Sequence, residues 1–178
     1  IVHVDHGLIR FDMYPFQEDL IQNINDNRFS ISLCSRQVGK SITTVAYLLH
    51  FMLFNKYKDL GIIANKGLTA RKILAKLKLA YSKIPPWLQS GIVEWNKGNI
   101  ELENGCKAAA SSTSGDAARG DSLAALFIDE AAFIDDNLWE EFYTSVYPTV
   151  SSGTTTKIIM VSTANGMNHY YKLWNDAV

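Results

Sequence analysis

Cysteine, proline and long apolar runs are scarce in this chain, and neither sign of charge is in excess. The two cysteines, Cys34 and Cys106, make no disulfide framework, so a reducing compartment is the default. No apolar run approaches the ~20 residues that cross a bilayer. The longest, Val45 to Phe54, is broken by His50 and reads as a buried helix. No signal peptide is expected, and no membrane partner. With 17 Lys and Arg against 18 Asp and Glu, the net charge is −1. That argues against a domain whose whole surface grips nucleic acid, while leaving room for a local basic patch. There is no internal repeat, low-complexity tract or linker. What is present is an ordinary globular composition, 47% hydrophobic and 20% charged over 178 residues, enough for one domain with a sizeable core. The chain begins at Ile1 rather than Met, and the expectation is a fragment of a longer protein.

Periodicity orders the chain. Residues 1–15 carry no clear pattern. Pro15 opens a helix whose apolar positions, Phe16, Leu20, Ile21 and Ile24, follow helical spacing. Arg28 to Leu33 alternates as a strand. Lys40 to Phe54 is apolar on most sides, as a helix buried against a sheet would be. Leu60 to Ala64 reads as a second strand, and Thr69 to Ile84 as an amphipathic helix ended by Pro85-Pro86. The lysines between Lys66 and Lys83 read as its solvated face. Gly91 to Ser112 alternates around two turn signals, Lys97-Gly98-Asn99 and Asn104-Gly105, and reads as a β-hairpin or small meander. Ser111 to Asp121 is a polar loop. Leu123 to Ile128 is a buried strand ending in Asp129-Glu130. Residues 136–147 read as a helix with Leu138, Phe142 and Val146 inward, Lys157 to Ser162 as another buried strand, and the last twelve residues as helix. Apolar strands alternating with helices predict an α/β fold: a mostly parallel sheet with helices on both faces and a small inserted hairpin.

The stretch SLCSRQVGKS, residues 32–41, sits between a strand and a helix. It closes as G-x-x-x-x-G-K-S/T does, but Cys34 stands where the first glycine belongs. Backbone N–H groups of Ser35, Gln37, Val38 and Gly39 at a helix N-terminus suit an anion. Lys40 would reach the β- and γ-phosphates of ATP, and Ser41 would hold Mg²⁺ through its hydroxyl. A buried strand ending in Asp129 puts a carboxylate at the sheet edge where ligands bind, so Asp129 is the partner expected for Ser41 at the metal. Glu130 suits the base that orients water; a plain helix cap is the competing reading. Ser162-Thr163-Ala164-Asn165, ending another strand, offers hydroxyl and amide groups to the γ-phosphate or the water, or forms a simple turn. Arg36 is placed to neutralise charge developing in the transition state, or to pair with a surface carboxylate. Arg119, in SGDAARGDS, is a second candidate for that arginine, in cis or toward a neighbouring subunit.

Taken together, S-R-Q-V-G-K-S, L-F-I-D-E, the run GIVEWNKGNI, the D-A-A-R-G loop and S-T-A-N-G resemble the large terminase subunit of tailed bacteriophages, T-even type, from about Tyr14 to Val178. The resemblance implies a P-loop NTPase core of the RecA-like division over residues 1–178, hydrolysing Mg-ATP to drive double-stranded DNA into a procapsid. Lys40 and Ser41 then match the variant Walker A loop, Arg36 its cis arginine, and Asp129 and Glu130 the Walker B ligand and base. Ser162, Thr163 and Ala164 match the coupling motif, with Ala164 departing from its hydroxyl run. Phe16 and Gln17 resemble an adenine-contacting pair; a ring can stack on a purine and an amide can read its edge, though Phe16 also suits core packing. The resemblance further implies a capsid portal, a small terminase subunit, a nuclease domain elsewhere in the full-length chain, a homo-oligomeric ring, and host cytoplasm with transient docking on the procapsid. A helicase-like ATPase on another nucleic-acid track, and a nucleotide-dependent assembly module without turnover, are the competing readings. The adjacent carboxylates Asp129-Glu130 argue against the second.

Overall fold

A computed structural model describes residues 1–3, 5–113, 123–151 and 153–177. The elements are β1 (Val2–His3), β2 (Gly7–Leu8), α1 (Pro15–Asp26), β3 (Phe29–Leu33), α2 (Lys40–Phe54), β4 (Asp59–Ala64), α3 (Gly67–Tyr81), β5 (Ile92–Trp95), β6 (Asn99–Leu102), β7 (Lys107–Ser112), β8 (Leu123–Asp129), α4 (Asp136–Ser151), β9 (Lys157–Ser162) and α5 (His169–Ala177). Short 3₁₀ turns span Pro86–Leu88 and Ala131–Phe133.

One seven-stranded sheet organises the chain, in the order β3-β9-β8-β4-β7-β6-β5. The first five strands run parallel, as the buried apolar runs require. Alternation along each strand divides the core in two. Leu60 and Ile62, Phe127, Ile159 and Val161 face one way, against Ile24 of α1, Val45 and Leu48 of α2, and Ile73 and Leu77 of α3. Leu126, Ile128, Ile158 and Met160 face the other way, against Trp139, Phe142, Val146 and Val150 of α4 and Tyr170 of α5. Helices therefore cover both faces.

The expected hairpin is present as a small meander: β5 and β6 pair antiparallel, and β7 joins β6 to the parallel strand β4, so the meander extends the main sheet. The structure departs from expectation in α3 and α4. Buried Lys78 fastens the meander to α3. Its ammonium donates to the carbonyls of Asn96 and Asn99 and lies 5.0 Å from the Trp95 ring centroid. Lys78 is thus no part of a solvated lysine face, while Lys66, Lys72, Lys76 and Lys83 are exposed. In α4, Leu138 is 38% exposed and Trp139 takes the inward position at 5%. The helix also runs on through Pro148 to Ser151. Fully buried Val150 continues the Phe142–Val146 stripe, and that burial offsets the hydrogen bond a proline forfeits.

Lys157, at the start of β9, donates to the carbonyls of Ile24 (2.8 Å), Asn25 (2.9 Å) and Asn27 (2.9 Å). A cation placed on the orphan carbonyls of a helix C-terminus complements the helix dipole. It also ties the end of α1 to β9. Lys157→Met should lower unfolding stability by about 1–2 kcal/mol, read as a shifted urea midpoint at constant slope. An unchanged midpoint would show that water serves these carbonyls equally well.

Candidate nucleotide site

The carboxyl ends of β3, β9 and β8 lie side by side, and Ser41, Asp129, Glu130 and Ser162 gather there. Between β3 and α2 the chain makes a tight loop. The Cys34 amide donates to the Ser162 carbonyl at 2.9 Å, fixing where the loop leaves the sheet. Gln37 (φ 62°) and Gly39 (φ 78°) are left-handed, and Gly39 is the residue before the first turn of α2. A side chain at Gly39 would be strained and would put its Cβ 2.7 Å from Nε2 of Gln17. Lys40 and Ser41 occupy that first turn, half-buried.

Two elements distant in sequence meet at Ser41. Its hydroxyl donates to Oδ2 of Asp129, the last residue of β8, at 2.7 Å. The other carboxylate oxygen of Asp129 accepts the Glu130 amide at 3.1 Å. Asp129 is buried, and desolvation is the largest influence on it, pushing its carboxyl above the usual range. The Ser41 hydrogen bond and Lys40 hold it down, and Glu130 pushes it up. Glu130 itself is exposed and left-handed, φ 53° and ψ 41°.

Other residues stand differently from what sequence suggested. Gln17 is buried, and both ends of its amide are engaged with backbone: Nε2 donates to the Val38 carbonyl (2.9 Å) and Oε1 accepts the Tyr14 amide (3.1 Å). It braces the loop from beneath. Phe16 is not core; it is 49% exposed and stacks on Tyr14, ring centroids 5.6 Å apart. Tyr14 was missed by sequence reading; an aromatic two residues before Phe16, across the helix-opening Pro15, was the available signal. Ser162 is fully buried and its hydroxyl accepts the Ala132 amide (3.1 Å), so it supports the turn after Glu130. Thr163 is also buried. Arg36 is exposed at the loop and makes no hydrogen bond or ion pair with a described residue. Arg119 lies outside the described residues.

A hydroxyl and a carboxylate side by side are hard oxygen donors, the set that suits Mg²⁺ held jointly with substrate phosphates and water. No group of three or more His, Cys, Asp or Glu among the described residues forms an all-protein metal cage.

Residues 31–178 match the family model described as terminase large subunit, T4likevirus-type, N-terminal. The chain belongs to that family. Solved structures of large terminases share its fold. The crystal structure of the HK97 bacteriophage large terminase superposes with a TM-score of 0.78 at 20% identity, over 98% of this chain and 38% of that one. The large terminase ATPase domain of Thermus phage P74-26 gives 0.67 at 21% identity, over 91% and 69%. The large terminase of a second thermophilic bacteriophage, in complex with ATP-gamma-S, gives 0.66 at 15% identity, over 89% and 40%. This terminase chain thus spans less than half the length of the HK97 large terminase and of the one that holds ATP-gamma-S.

In this terminase domain the Asp129 carboxyl is raised above its ordinary range, so the folded state favours its protonated form. Its contribution to stability is present at acid pH and is lost as pH rises through the raised value. Asp129→Asn should therefore raise the melting temperature of the nucleotide-free protein near neutral pH by about 2–4 °C, the shift expected for ~1 kcal/mol at this size. The gain should vanish below the usual carboxylate range. A variant that melts lower at pH 7 would mean that the ionised carboxylate is held by more than Ser41 and the Glu130 amide.

Proposed function

We propose that this chain is the ATP-hydrolysing motor domain of a viral DNA-packaging terminase, coupling Mg-ATP hydrolysis to movement of double-stranded DNA into a procapsid. The observation that carries it is the 2.7 Å contact joining Ser41 of the loop to Asp129 of the acidic strand, with Glu130 next in the chain. In this reading the backbone amides of Ser35, Gln37, Val38 and Gly39 and the Lys40 ammonium bind the phosphates. Ser41 and Asp129 would hold Mg²⁺, which would supply positive charge to the phosphates. Glu130 takes a proton from the attacking water as oxygen bonds to the γ-phosphorus and the bond to the ADP oxygen breaks. Arg36, exposed and unpaired among the described residues, turns to the charge that develops on the transferred group. Phe16 and Tyr14 offer ring faces to the base, and buried Thr163 lies at the end of β9 beside the loop strand β3.

The partners of this reading are double-stranded DNA, a capsid portal, a small terminase subunit, a nuclease domain of the full-length chain and further copies in a ring. Its location is the host cytoplasm, with docking on the procapsid. Among the described residues no helix is long and apolar enough to cross a membrane.

Steady-state ATP hydrolysis with Mg²⁺ tests the assignment. Glu130→Gln should lower kcat by at least about 10²-fold while nucleotide still binds. Arg36→Ala should lower kcat by about 10³-fold or more with little change in affinity, because the arginine acts in the transition state. An unchanged kcat in Arg36→Ala would move that role to Arg119; full activity in Glu130→Gln would remove the base from Glu130.

A further inference from the structure

Glu130 is a non-glycine residue in left-handed backbone, a conformation that persists only when neighbours over-determine it. The turn that follows, Ala131–Phe133, is held from several directions. The Ala132 carbonyl accepts amide hydrogens from Asn165 (2.9 Å) and Asn168 (2.6 Å). The Phe133 carbonyl accepts from Asn65 (2.8 Å). The Ala131 carbonyl, nearest to Glu130, faces Nε2 of His169 at 2.9 Å.

His169 is itself fixed on three sides. It is buried, and its Nδ1 lies 2.7 Å from Oδ1 of Asp136, the first residue of α4. Its backbone amide also donates to that oxygen at 3.3 Å. Its ring stacks on Trp139, centroids 4.6 Å apart and planes within 14°. Both ring nitrogens face oxygen acceptors. The hydrogen bond from His169 is the leading cause that holds Asp136 below the usual carboxylate range. The ring therefore connects three things: the first turn of α5, which follows the polar segment after β9; the start of α4; and the peptide unit immediately after Glu130.

We infer that His169 is a positioning residue for hydrolysis, acting through its Nε2 on the Ala131 carbonyl to hold Glu130 in its left-handed pose, with Asp136 and Trp139 aiming the ring. The inference rests on the proposed role of Glu130 for its effect on turnover, but not for its effect on the turn. A carboxylate displaced by an ångström loses about 10²-fold in rate, while phosphate contacts made by the Walker loop are untouched.

Two substitutions separate the ring nitrogens. The amide nitrogen of Gln reaches the place of Nε2, and that of Asn the place of Nδ1. His169→Gln should keep kcat within about threefold and His169→Asn should lower it about 10²-fold, with KM for ATP unchanged in both. Asp136→Asn, at an exposed side chain, should lower kcat about tenfold. Amide hydrogen exchange of the nucleotide-free protein is the second readout. Exchange at Ala132 and Phe133 should quicken at least about tenfold in His169→Asn and not in His169→Gln. Equal kcat and equal exchange in the two variants would overturn the inference. So would loss of kcat accompanied by a matching rise in KM, or loss of the whole fold in His169→Gln. If the wild type itself shows no turnover while exchange at the turn responds as stated, the proposed function fails and the clamp stands.

Discussion

A buried carboxylate has to be met on both oxygens, and at Asp129 the fold meets it with one group from each direction. Ser41 comes from the loop after β3, and the Glu130 amide comes from the chain's own next residue. The parallel order β3-β9-β8 makes this possible, because it brings the carboxyl ends of the loop strand and the acidic strand to one edge with a single strand between. Taken alone the arrangement is costly, since burial disfavours the charge and Glu130 adds to it. That cost is of the kind a divalent ion and its phosphate ligands relieve. In the proposed function, a ligand that brings positive charge and oxygen ligands together fills that need.

Around that contact the structure is braced by groups whose work is on backbone. Gln17 supports the Val38 carbonyl from below, the Cys34 amide ties the loop to β9, and Ser162 with Asn165 and Asn168 holds the turn behind Glu130. The strand-ending segment after β9 therefore reaches the acidic strand through its turn. Under the proposed function, these hydrogen bonds give the segment after β9 a route to Glu130.

Much of the fold was legible because apolar runs and helix periodicity are strong signals. The bounds of α2 and β9 are those the pattern implies, and Gly39-Lys40-Ser41 and Asp129-Glu130 fall on the elements expected. What sequence did not disclose depends on tertiary partners. Whether Leu138 or Trp139 turns inward depends on where α4 meets the sheet, and Trp139 wins because it also stacks on His169. Lys78 reads as a surface lysine until the hairpin carbonyls are placed over it. Gln17 and Phe16 look alike as a recognition pair, yet one is buried under the loop and the other lies open beside Tyr14. His169 carried no spacing signal at all, since its partners Ala131 and Asp136 lie more than thirty residues away.

We propose that Ser41 and Asp129 together form the cation half of a nucleotide site. Electron paramagnetic resonance of Mn²⁺ titrated into the protein with ATP-gamma-S measures this directly. The wild type should hold one tightly bound Mn²⁺ that requires the nucleotide and is lost in both Ser41→Ala and Asp129→Asn. Mn²⁺ bound as tightly in Asp129→Asn as in the wild type would contradict the proposal.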